Sequence, residues 1–143
     1  MPLLRLLSAL LGIAVVTRAN PEAALQVQVK KYLSVALPPS VYWTASLTGV
    51  NLSMPARVRA KAMGIRRGAP DLCFLFPDGI TRWIELKTRT GSLTPEQRAF
   101  RDLCTASGRD IHAVCRSLEE VDATLRGWGL ALRSHPFMPM GAP

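Results

Sequence analysis

Apolar residues recur at helical spacing over Leu25, Val29, Tyr32, Leu33 and Ala36. A five-residue alternation, Leu25-Gln26-Val27-Gln28-Val29, competes for a strand in the same stretch. The start signals decide between them. Asn20 suits an N-cap, Pro21 the first helical position, and Glu22 the positive end of the helix dipole. The pattern therefore predicts a helix from residue 20 to the stop at Pro38-Pro39. Residues 41–47 are rich in β-formers and predict a strand. Residues 48–53 read as a loop, 55–63 as a short basic helix, and 64–68 as a further loop. Two strands, 71–76 and 80–87, flank Pro77-Asp78-Gly79, a strong turn signal. Thr94-Pro95-Glu96-Gln97 is a capping box that opens a helix to about Ser107, with Gly108 as its stop. Residues 110–115 predict another strand, and Ser117-Leu118-Glu119-Glu120 a second capping box opening a helix to Gly127. The order α, β, (α), β, β, α, β, α predicts an α/β fold, a mixed sheet with helices on its faces.

The ends follow other patterns. Arg5 precedes an uncharged run of 11 residues, 6–16, too short to span a membrane comfortably. It has the form of a secretory h-region, and Thr17-Arg18-Ala19 offers small residues where cleavage would fall. The competing readings are an apolar helix packed on the domain or on a partner copy, and a reading frame extended upstream. Residues 135–143 hold three prolines and predict a loose tail. The chain thus divides into an apolar segment (1–19), one folded domain (20–130) and a tail (131–143).

Composition narrows the function classes. The 143 residues carry 18 Lys plus Arg against 10 Asp plus Glu, a formal charge of +8 that favours an anionic partner. The chain is 48% hydrophobic, which rules out wholesale disorder, and 6% aromatic, which argues against long base-stacking platforms. Cys73, Cys104 and Cys115 form no CxxC pair, so neither a disulfide framework nor a zinc site is expected. His112 and His135 have no ligand partner at a suitable spacing.

The hairpin carries the candidate chemistry. Glu85 and Lys87 are two residues apart on one strand, so they project from the same face. A hairpin symmetric about Asp78 sets residue 76 opposite 80 and Asp71 opposite Glu85, with Cβ atoms about 5 Å apart. Two carboxylates so placed repel unless they share a proton or a cation, and hard oxygen ligands suit Mg²⁺ or Mn²⁺. The opposite face, Leu72, Phe74, Phe76, Ile84 and Leu86, is apolar and anchors the hairpin. Lys87 can orient a water and stabilise charge on a phosphoryl group. The competing reading makes Asp71 a strand-start residue and Glu85–Lys87 a solvated ion pair of little worth.

Three motifs in order carry a resemblance: residues 64–72 (GIRRGAPDL), 83–87 (WIELK) and 93–97 (LTPEQ). The chain resembles the VRR-NUC family of the PD-(D/E)xK nuclease superfamily, in its stand-alone phage and bacterial form. The resemblance spans roughly residues 20–125. It implies a restriction-endonuclease-like fold and a metal-dependent DNA endonuclease. Asp71 and Glu85 match the two metal-binding acids, the Leu86 carbonyl a further ligand, and Lys87 the catalytic lysine. Glu22 matches the acid that completes the metal site, the competing reading being a helix-dipole acid. Gln26, one turn on, matches a glutamine common in the family and joins the expected DNA contacts. Gln97 matches a glutamine directed at the active site, beside its role in the capping box.

Basic residues flank these motifs: Arg57, Arg59, Lys61, Arg66 and Arg67 on one side, Arg89, Arg98 and Arg101 on the other. Their expected work is phosphate contact, which positions DNA without reading sequence. Gly64 and Gly68 would let backbone approach a phosphate, or serve turn geometry alone. The family resemblance further implies a homodimer, branched or Holliday-junction DNA as substrate, a role in repair, recombination or phage DNA processing, and a cytoplasmic setting. The alternatives are a non-catalytic nucleic-acid-binding module, and a basic protein exported through residues 1–19.

Overall fold

The computed structural model of the chain describes residues 20–46 and 53–133. The apolar segment 1–19 and most of the tail lie outside the described residues, as does most of the expected loop at 48–53. Among the described residues no helix is long and apolar enough to cross a membrane.

The described residues form eight elements: α1 (Pro21–Ala36), β1 (Tyr42–Ala45), α2 (Met54–Ala62), β2 (Leu72–Leu75), β3 (Thr81–Leu86), α3 (Pro95–Ser107), β4 (Ile111–Cys115) and α4 (Leu118–Gly127). The strands form one sheet in the order β1-β2-β3-β4. The first three are antiparallel neighbours, and β4 joins β3 in parallel after the α3 crossover. This is the expected α/β architecture, a mixed sheet flanked by helices.

The contest over residues 25–29 resolves as a helix. Gln26 and Val29 are buried while Val27 is 43% exposed, whereas a strand alternation would bury Val27 with Val29 and expose Gln26. Asn20 caps α1 by accepting a hydrogen bond from Ala23 N. The buried side of α1 packs with α4 on the sheet face formed by Leu72, Phe74, Ile84 and Leu86. A buried polar contact joins the two helices: the Tyr32 hydroxyl donates to Asp122 Oδ1, and Arg126 Nε donates to Oδ2 at 3.0 Å. The other sheet face lies under α3, where Trp83 meets Phe100 edge-to-face at 5.0 Å.

The hairpin takes the register expected from its turn. Leu72 pairs with Ile84, Cys73 with Trp83, Phe74 with Arg82 and Leu75 with Thr81. Arg82 locks the turn. It grips Asp78 with both terminal nitrogens, at 3.1 and 2.7 Å, and its guanidinium lies 3.9 Å from the Phe76 ring centre. The last capping box departs from expectation. Ser117 caps α4, but Glu120 reaches one residue further back, accepting from Arg116 N at 2.6 Å.

Tyr32→Phe removes a donor from the buried Asp122 carboxylate. It should lower the unfolding free energy by about 1–3 kcal/mol in urea melts, with the slope unchanged.

Candidate active site

The ladder between β2 and β3 ends at Leu72–Ile84, so Asp71 and Glu85 come next and face each other across the strand ends. The Asp71 carboxylate turns onto the main chain of β3, where Leu86 N donates to Oδ2 at 2.7 Å. Its carboxyl also lies within hydrogen-bonding reach of Glu85. Both acids are buried, Asp71 at 5% exposure and Glu85 at 1%. Lys87 is 6% exposed, and its Nζ lies 3.4 Å from Glu85 Oε1. The solvated ion pair weighed from the sequence is thus a buried cluster.

Helix α3 supplies the fourth member. Gln97 sits at its third position and uses both ends of its amide. Oε1 accepts from Thr94 N at 2.8 Å, closing the capping box, and Nε2 donates to Glu85 Oε1 at 2.7 Å. The two roles weighed from the sequence coexist in one side chain. A glutamate here would keep the cap but turn an acceptor towards the acid.

Burial pushes the Asp71 carboxyl above the usual range, with the Glu22 charge adding to it; the Leu86 N–H and Lys87 oppose. Glu85 is pushed up to about 8, first by burial and then by the charge of Asp71, with Lys87 opposing. Glu22 is partly exposed at the start of α1 and reaches both acids through its charge. Among the described residues no three His, Cys, Asp or Glu side chains lie close enough to hold an ion by themselves. Two acids do converge, and Glu85 Oε2, fully buried, receives no hydrogen bond from the described residues. That orphaned oxygen beside a second carboxyl, in an all-oxygen donor set, fits a hard divalent cation.

A family model for the VRR-NUC domain matches residues 24–119. The chain belongs to the VRR-NUC family. A solved structure named as a VRR_NUC domain protein is 18% identical. The match covers 75% of this chain and 86% of that one, with a TM-score of 0.51. A second, named as a VRR_NUC domain, is 19% identical over 75% of this chain and 96% of its own, with a TM-score of 0.48. No curated protein matches the chain. The VRR-NUC assignment makes this a nuclease-type domain.

Within that VRR-NUC domain the remaining residues divide. Arg57, Arg59, Lys61, Arg66, Arg67 and Arg89 are exposed, the first three on α2, which buries none of its residues. Arg98 is exposed but donates to Leu93 O at 2.6 Å, and Arg101 pairs with Asp102 at 2.9 Å. Gln26 is buried, one turn along α1 from Glu22, and its Nε2 has no acceptor among the described residues. Gly68 serves packing within the protein. At φ +91°, its space for a Cβ is taken by the Glu96 main chain 2.7 Å away, which holds the basic loop against the first turn of α3. Gly64, at φ +89°, ends α2 with open space around it. Arg116 escaped sequence reading; it touches the loop behind Lys87 through three main-chain carbonyls. No local motif marks it.

The raised Glu85 value sets a pH dependence for the metal-free protein. Between about 4.5 and 8 the folded chain holds a proton that the unfolded chain has released. Stability therefore falls as pH rises across that window and levels off above it. His112, whose pKa burial pushes down, contributes in the opposite sense. The comparison of wild type with Glu85→Gln isolates the acid pair. In EDTA, the thermal midpoint of the variant should gain on wild type steadily from pH 5 to 8. Parallel curves would contradict the buried shared proton.

Proposed function

We propose that the chain is a Mg²⁺- or Mn²⁺-dependent deoxyribonuclease that hydrolyses phosphodiester bonds in duplex or branched DNA. The observation that carries this reading is the buried Asp71–Glu85 pair, with one Glu85 oxygen that receives no hydrogen bond from the described residues. Folded proteins give partners to the large majority of their buried polar atoms, and perturbed acids cluster at functional sites.

In this reading Asp71, Glu85 and the Leu86 carbonyl would hold the ion, with Glu22 adding negative charge from further off. Such an ion, when bound, polarises a phosphoryl oxygen and lowers the pKa of a water. Gln97 fixes Glu85 Oε1, so the Oε2 edge keeps one direction. Lys87, already beside Oε1, orients the attacking water and offsets charge that builds on the phosphoryl oxygens. Hydrolysis forms one P–O bond to water and breaks one ester P–O bond; the departing oxygen takes a proton. Arg57, Arg59, Lys61, Arg66, Arg67 and Arg89 supply phosphate contacts, with Arg98 and the buried amide of Gln26 beside them. Between residues 57 and 101 there are ten bases and four acids, and two of those acids are the proposed ligands.

Structure-selective cutting of branched or Holliday-junction DNA belongs to the same proposal, with a place in repair, recombination or phage DNA processing in the cytoplasm. One site cuts one strand, so paired cuts call for a homodimer.

Single-stranded, duplex, flap and four-way junction DNA, incubated with Mg²⁺, Mn²⁺ or EDTA, test this reading. Cleavage should need the metal, and Asp71→Ala and Lys87→Ala should each slow it about 100-fold or more. DNA bound without cleavage in any metal would instead favour the binding-module reading.

A further inference from the structure

We propose that Arg116 is a positioning residue for Lys87, clamping residues 88–91 over the stem of that lysine. The inference rests on the nuclease reading for its catalytic consequence, though not for its geometry.

Lys87 follows the last residue of β3, where strand pairing ends. A lysine stem has four rotatable bonds, so its ammonium needs support from outside its own strand. Two adjacent residues at the end of β4 supply it. Cys115 O accepts from Lys87 N at 3.0 Å. Arg116 Nη1 then donates to Thr88 O and Gly91 O, both at 2.6 Å, with Arg89 O further off at 3.4 Å. One guanidinium nitrogen thus ties together both ends of the loop behind the lysine. The loop adds its own closure, with Gly91 N donating to Thr88 O at 3.2 Å and to Thr88 Oγ1 at 3.0 Å.

The result bears directly on Lys87. A Cβ placed on Gly91 would stand 2.9 Å from Thr88 Oγ1 and 3.6 Å from Lys87 Cδ. The folded loop therefore lies against the lysine stem, and Lys87 is buried with its Nζ turned to Glu85. Arg116 is itself held, since its own N–H donates to Glu120 Oε2 at 2.6 Å. Its guanidinium is spent on main-chain carbonyls at both ends of one loop.

Arg116→Met keeps the aliphatic stem and removes the clamp. Gly91→Ala leaves the Arg116 clamp but forces Thr88 Oγ1 aside and breaks the loop's own closure, so it tests the loop's hold on Lys87 if the first variant folds poorly. Two readouts decide. The first is the rate of reductive methylation at Lys87 in the metal-free full chain, followed by mass spectrometry; it should rise about tenfold in Arg116→Met. The second is single-turnover DNA cleavage at saturating protein. It should fall about tenfold or more in both variants, while DNA affinity in EDTA changes less than twofold. An unchanged labelling rate overturns the clamp. A loss of cleavage matched by an equal loss of affinity overturns positioning and makes Arg116 a phosphate contact. If wild type cleaves nothing, the nuclease reading fails, and the labelling rate still decides the clamp.

Discussion

Two carboxyl groups face each other in a nearly dry corner of this fold, and the surrounding structure answers that one constraint. Asp71 and Glu85 are both more than nine-tenths buried and within reach of each other. Left ionised and alone, such a pair costs several kcal/mol. The chain supplies partial relief from three directions: the Leu86 N–H to Asp71, the Gln97 amide to Glu85, and the Lys87 ammonium beside it. Among the described residues it stops one donor short, at Glu85 Oε2. A proton or a cation must complete the arrangement, which is the character of a functional site rather than a stabilising one.

The scaffold explains how so costly a pair is held. The hairpin turn fixes the register, and Arg82 fixes the turn by gripping Asp78 and lying on Phe76. The apolar face of the same hairpin packs under α1 and α4. A one-residue slip would therefore bury charge in the core and expose leucine, so register and site stand or fall together. Helix α3 contributes at the same point. Its capping glutamine ends on Glu85, so the start of the helix and the orientation of the acid are one structural event.

Features set by near neighbours were legible in the sequence. The turn at 77–79 gave the register, Thr94 and Gln97 gave the cap, and the strand alternation put Asp71, Glu85 and Lys87 on one face. Features made by distant contacts were not. Gln26 is buried and Val27 exposed because α1 presents one face to the sheet, which hydrophobicity at single positions does not reveal. Gly68 looked fit for phosphate approach, but its space is filled by Glu96 from a helix 28 residues away. Arg98 and Arg101 are expected to contact phosphate from their place in the sequence, which does not show that each also has an acceptor within the protein. Arg116 reaches back 28 residues to Thr88, and nothing in its local sequence announces the bond.

On the proposed nuclease reading, the acid pair exchanges a proton for a divalent cation. Calorimetric titration of Mn²⁺ into the metal-free protein, in buffers of different ionisation enthalpy, measures that exchange. About one proton per ion should be released at pH 7, with release vanishing near pH 9 and absent in Glu85→Gln. Binding without proton release at pH 7, or binding that survives Glu85→Gln unchanged, would contradict it.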